Sequence, residues 1–306
     1  MKRLSIILFL GLIALGFQRC DTAPAPEVAY ITVDTLLVNA TGTQGTSSSK
    51  LNTLWVEQNG AQIGAFIPPC EIPVLAGEKQ EIRIIPGISI NGSYTQRNQY
   101  EMLKAKNFTW DLEPYSKRSL SNVQKTFTYN DNFTIRIVED FDGVGLSFNR
   151  APQSDTTLQI VDDAEGSYQH PGETPNSSGK ITMLPKTLAE FRTPEAFELP
   201  KAGANVWLEV NYKTEVPLTF GVIANELLQS LQAPVVTLFP NDHWNKVYLN
   251  LVTEVSGYPN AGDYNLFFGA INSTDDTATV FIDNIKLLYW IEQKYLRDAW
   301  KSFMSF

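Results

Sequence analysis

The stretch Ala278-Thr279-Val280-Phe281-Ile282-Asp283-Asn284-Ile285-Lys286-Leu287 decides the fold. Apolar, β-branched and aromatic residues alternate there with polar ones, as in a strand that lays one face on a core. An earlier segment, Ile137-Val138-Glu139-Asp140-Phe141-Asp142-Gly143, has the same character and opens the domain that the first stretch closes. Between them lie Val206-Trp207-Leu208-Glu209-Val210-Asn211-Tyr212-Lys213, residues 217–222, residues 243–251 and residues 264–270. Each reads as a further strand, and helical periodicity is scarce, so the sequence predicts an all-β protein.

The first half carries the same signals. Residues 29–34, 81–85 and 133–137 alternate as half-buried strands. Leu54-Trp55-Val56, the turn Gln58-Asn59-Gly60-Ala61 and the run from Ile63 to Phe66 read as a hairpin, with Pro68-Pro69 as its stop. Residues 41–51 form a Gly/Ser/Thr loop between strands. Residues 98–106 are briefly compatible with a helix that ends before Trp110 to Tyr115. Turn residues Asn130-Asp131-Asn132 mark a boundary, giving sandwiches over 29–131 and 132–290. Residues 291–306 read as a C-terminal helical tail, aromatic on one face.

The segment Trp55-Val56-x-x-Asn59-Gly60-x-x-Ile63-Gly64-Ala65-Phe66, followed by Pro73-Val74-Leu75-Ala76-Gly77-Glu78, resembles the small β-sandwich modules of the PEGA and carboxypeptidase-regulatory type. That resemblance, which also suggests an immunoglobulin-like module, implies a structural or adhesive role. The early Glu139-Asp140-Phe141-Asp142 and the late Val280-x-Ile282-Asp283-Asn284-Ile285-x-Leu287 are similar to the terminal strands of jelly-roll carbohydrate-binding modules and other galactose-binding-like domains. This second resemblance implies two kinds of site. One is a structural Ca²⁺, a hard cation wanting about six to eight oxygen ligands, on Glu139, Asp140, Asp142 and Asp283. The alternative for these residues is a solvent-facing strand end and a turn.

The other site is for sugars, which such modules hold by stacking rings on aromatic side chains and bonding hydroxyls with polar ones. Tyr168, His170 and Tyr258 are the candidates, because they stand in loops with Gly and Pro neighbours where a ring has no core to fill. Trp207 and Trp244 lie in apolar strands and are expected to pack inside.

At the other end of the chain, Lys2 and Arg3 precede an uncharged apolar run from Leu4 to Phe17, too short for the roughly 20 residues of a spanning helix. Residues 1–19 thus read as a signal peptide. Cys20, directly after it, resembles the acylated cysteine of bacterial lipoproteins, although Arg19 stands where those usually have a small residue. Residues 20–28 would then be a lipidated cysteine and a proline-bearing tether, placing the protein on the outer membrane. The alternative is ordinary secretion. Only Cys20 and Cys70 exist, so a disulfide between them is open only if acylation fails.

The chain has a net charge of −9 and no basic cluster, which excludes nucleic acid as a partner class. Its two histidines stand in no zinc pattern, and it has no nucleophile elbow, P-loop or dinucleotide fingerprint. The expectation is a protein that binds rather than catalyses. Foremost is a structural accessory subunit of an outer-membrane complex, in contact with a barrel; the alternative is a surface lipoprotein that binds a polysaccharide.

Overall fold

The computed structural model describes residues 26–162, 166–169 and 177–290. The leader, Cys20 and the C-terminal tail lie outside them. The described chain is all-β, with two short helices, Asn122–Lys125 and Val252–Gly257.

In the first half, the strand Val28–Val33 runs antiparallel to Cys70–Leu75 and parallel to Lys117–Ser119. Its alternation sends Ala29, Ile31 and Val33 inward. Facing it is a sheet of Ala61–Phe66, Thr53–Gln58, Gly77–Ser89 and Arg97–Gln99, with Lys106–Leu112 also paired to Gly77–Ser89. The expected hairpin forms at Asn59-Gly60, whose φ values of 50° and 78° suit a two-residue turn matching strand twist. No helix forms over 98–106. That stretch holds a short strand and a turn, and the strand Lys106–Leu112 runs through Trp110 because pairing with Gly77–Ser89 satisfies its backbone.

In the second half two antiparallel sheets stack. One is ordered Leu158–Val161, Ser178–Met183, Ala278–Trp290, Val206–Thr214, Asn241–Asn250, with Phe133–Glu139 also paired to Ala278–Trp290. The other is ordered Asn149–Arg150, Thr187–Arg192, Asp263–Asn272, Leu218–Asn225, Ser230–Leu238. Leu208, Val210, Ile282 and Leu287 of the first sheet meet Phe191, Phe220 and Phe268 of the second in one core. The segments that open and close this domain pair directly, from Phe133 against Trp290 to Glu139 against Ile285.

The two halves are not beads on a string. The strand Val206–Thr214 alternates apolar and polar residues, yet eight of its nine residues are buried. Its outer side is covered by the first half: Trp207, Tyr248 and Leu288 belong to the same apolar cluster as Ile31, Leu54 and Tyr100. Tyr100 sets its ring edge against Trp207 at 5.5 Å and against Tyr248 at 5.0 Å.

This covering buries charge. Glu209, Lys246 and Lys286 are 1 %, 6 % and 0 % exposed. The Glu209 carboxylate lies 2.8 Å from Lys246 Nζ and accepts hydrogen bonds from Tyr100 at 2.7 Å and Tyr129 at 3.1 Å. Burial alone would raise the pKa of Glu209, but Lys246, Lys286 and these donors outweigh it and hold the group below its ordinary value.

The loop over residues 41–51 clamps the seam. Lys286 Nζ donates to the Thr46 carbonyl, Thr46 Oγ1 donates to Asn284 at 2.8 Å, and Asn211 Nδ2 donates to Ser48 at 2.8 Å. Gly45 sits at φ 72°, a conformation that favours glycine, with the Ile137 side-chain end 2.5 Å from where a Cβ would stand.

Removing Glu209 leaves two lysines buried without their carboxylate. Glu209→Ala should destabilise the protein by about 3–5 kcal/mol in urea denaturation, whereas Glu57→Ala, which breaks an exposed pair with Arg83, should cost under about 1 kcal/mol. Equal effects would show that the seam does not carry the stability assigned to it.

Candidate functional site

The seam opens at one edge into a cleft of about 480 Å³. One lip is the turn after Gly77–Ser89, where Asn91 and Gly92 adopt φ values of 53° and 73°. This turn is fixed to the second half: Asn91 N donates to the Tyr248 carbonyl at 2.9 Å, and Asn250 N donates to Asn91 Oδ1 at 2.9 Å. The other lip is the connection between Ser230–Leu238 and Asn241–Asn250. Each lip presents one aromatic ring to solvent, Tyr94 at 75 % exposure and Phe239 at 82 %.

Between them the lining is mixed, with Val236, Leu238, Pro240 and Val247 supplying apolar wall beside polar groups. Asn52, Asn91, Asn241 and Asn245 contribute amides, and Tyr212 and Tyr248 contribute phenols. Lys50 N donates to the Tyr248 hydroxyl at 2.9 Å, and Lys50 Nζ donates to Asn245 Oδ1 at 2.6 Å. Burial pushes the pKa of Tyr248 far above the ordinary phenol value, with Glu209 adding to the rise, so this hydroxyl is neutral. Rings at the rim and hydrogen-bonding groups along the floor suit a ligand with apolar faces and hydroxyl edges.

Tyr168 and Tyr258, the described candidates from the sequence, lie elsewhere. Tyr168 is not open: its hydroxyl donates to Ser48 at 3.0 Å and its ring packs edge-on against Trp244 at 5.4 Å. Tyr258 lies half-buried against the core of the second half, and its carbonyl accepts from Tyr264. Each of these two rings packs against the body, which a loop position does not reveal in the sequence. His170 lies outside the described residues. Trp207 is buried, as expected, but in the seam between the halves rather than inside one sandwich. Tyr94, Phe239 and Lys50 were missed. Tyr94, in Asn91-Gly92-Ser93-Tyr94, met the same loop-aromatic criterion that selected Tyr168.

Of the four carboxylates expected to hold calcium, Asp140 and Asp142 lie near Asp283, and protein donors hold Glu139, Asp142 and Asp283. Glu139 accepts from the backbone of Phe141 and Ser147, Asp142 from Ser177 N at 2.9 Å, and Asp283 from Ser178 Oγ at 2.7 Å. Among the described residues no three acidic, histidine or cysteine side chains group to hold a metal ion. As they stand, these residues do not fit a calcium cage. Asp283 is buried, and burial, with Asp142 and Asp140 nearby, pushes its pKa up to about 7.

No protein-family model matches the sequence, and no curated protein matches it significantly. Among solved structures it is similar to a family 11 carbohydrate-binding module from Clostridium thermocellum, in complex with a β-1,3-1,4-mixed-linked tetrasaccharide, at 12% identity and a TM-score of 0.35, over 50% of this chain and 94% of that one. A xylan-binding domain from Paenibacillus barcinonensis matches at 13% identity and 0.37, over 49% and 91%. The enzymatically active domain of a bacteriophage CBA120 tailspike matches at 12% and 0.33, over 53% of this chain but 20% of that one, so this chain spans about a fifth of its length. At such values no ligand or activity transfers. The strand pairings and the cleft define a β-sandwich protein with an aromatic-rimmed groove of mixed polarity between its halves.

The raised pKa of Asp283 favours the neutral acid in the folded state. Its stabilising effect is complete below the unfolded pKa, near 3.8, and is lost as pH rises through about 7. This corresponds to on the order of 4 kcal/mol. The melting temperature should therefore fall between pH 5 and pH 8, and Asp283→Asn should flatten that fall. Neither calcium nor EDTA should move the transition; a rise with calcium would restore the metal.

Proposed function

We propose that this protein is a non-catalytic glycan-binding protein whose ligand lies in the cleft between Tyr94 and Phe239. The observation that carries this reading is the pair of exposed rings, Tyr94 from one half and Phe239 from the other, that line one cleft together with amides and phenols. An isolated surface aromatic is ordinary, but two lining one groove give a sugar stacking surfaces beside hydrogen-bonding groups. The similar modules named above are described as binding a mixed-linked tetrasaccharide and xylan; the reading for this chain rests on its own cleft.

Attachment to an outer membrane through a lipid on Cys20 is a further part of the proposal, supported by the charged start, the apolar run and the cysteine that follows. A barrel or membrane complex as partner rests on that anchor alone. No described helix is long and apolar enough to cross a membrane.

On an array of polysaccharides, binding by the intact protein should weaken about tenfold with Tyr94→Ala or Phe239→Ala. Tyr168→Ala and Tyr258→Ala should lower the melting temperature and leave affinity unchanged. An array on which the wild-type protein binds nothing overturns the glycan reading. Mass spectrometry of the mature N-terminus should find Cys20 carrying a diacylglycerol; an unmodified or absent Cys20 makes the protein freely secreted.

A further inference from the structure

The cleft has a sign. The chain carries 33 Asp and Glu against 24 Lys and Arg, yet the residues lining the cleft include Lys50, Lys246 and His243 and no Asp or Glu. Lys246 is matched by Glu209 behind the wall, and His243, on the rim, meets the exposed Asp242 at 2.8 Å. Lys50 is matched by nothing anionic. Among the described residues it has no carboxylate partner, and its ammonium is held by the neutral amide of Asn245. Other lysines of this acidic protein pair readily: Lys104 with Asp131, Lys117 with Glu71 and Lys186 with Asp275.

Lys50 is also held in place. Its backbone N–H is fixed on the Tyr248 hydroxyl and its Nζ on Asn245, so the ammonium keeps its position without a ligand. The side chain remains accessible, while its surroundings draw its pKa down by desolvation. An anion entering the cleft would satisfy the remaining donors of the ammonium and offset that desolvation.

Resting on the glycan reading above, the geometry points to an acidic sugar as ligand: a uronic acid or similar carboxylated residue whose carboxylate meets Lys50 while its ring lies between Tyr94 and Phe239. A neutral sugar would leave the ammonium without a counter-charge. A peptide of acidic residues alone would supply the charge but offer no ring to the two rim aromatics. The overall charge of −9 opposes an anion only at range, because added salt screens it within about 8 Å at physiological ionic strength, while the Lys50 contact is direct.

The test compares a neutral glucan oligosaccharide with its counterpart oxidised to glucuronate at the same linkage, by titration calorimetry on the full chain. The acidic form should bind about tenfold tighter, and the difference should shrink as salt is added. Lys50→Met should bind the acidic and neutral forms equally, whatever its affinity for either, and Lys50→Arg should retain the preference. Should Lys50→Met fail to fold, the preference and salt dependence of the wild-type protein decide alone. Equal affinity for both oligosaccharides overturns the acidic-sugar inference and leaves the glycan reading standing. Binding of neither overturns both. A poly-glutamate peptide that binds more tightly than the glucuronate form overturns the inference in favour of an acidic protein ligand.

Discussion

Glu209 is the constraint on which the arrangement of the two halves depends. A carboxylate at 1 % exposure is tolerated only if its charge and lone pairs are met, and both halves supply what meets them. Lys246 and Lys286 come from neighbouring strands of its own sheet, whereas Tyr100 and Tyr129 reach it from the first half. Sliding one half against the other would strip donors from a group already out of water. The aromatic contacts of Tyr100 with Trp207 and Tyr248 add apolar area at the same place, so packing and polar satisfaction select one docking geometry.

The cleft follows from that docking. One lip belongs to each half, and neither half alone brings Tyr94 and Phe239 to one cleft. The groups that fix the floor are the seam itself: Tyr248 packs against Tyr100, accepts the Lys50 N–H and receives Asn91 at its carbonyl. Binding and stability are therefore linked through a few residues, with Lys50 at the end of the loop that clamps the halves together.

The seam and the Asp283 end of the second half respond to acid in opposite directions. Glu209, held below its ordinary pKa, stabilises at neutral pH and loses that effect as pH falls below the unfolded value. Asp283, pushed up to about 7, stabilises while protonated and loses that effect as pH rises. Two buried acids on neighbouring strands thus differ because lysines outweigh the cost of burial at Glu209, whereas at Asp283 burial goes uncompensated and nearby aspartates add to it.

The strands, the Asn59-Gly60 hairpin and the partnership of the opening and closing segments were legible in the sequence, because alternation and turn chemistry are local and a strand must show one face to a core. Trp207 was legible as buried for the same reason. Alternation could not say what lies on the far face. Glu209, Asn211 and Lys286 have the spacing of solvent-facing residues, and only the docking of the other half puts them in the interior. The loop over residues 41–51 read as a plain connection because its hydrogen bonds go to residues more than 150 positions away. The sequence by itself determined an all-β chain and where its strands run. The tertiary structure alone decided which aromatics are free, because whether a loop ring meets solvent or a neighbour depends on how two sheets far apart in the chain come together.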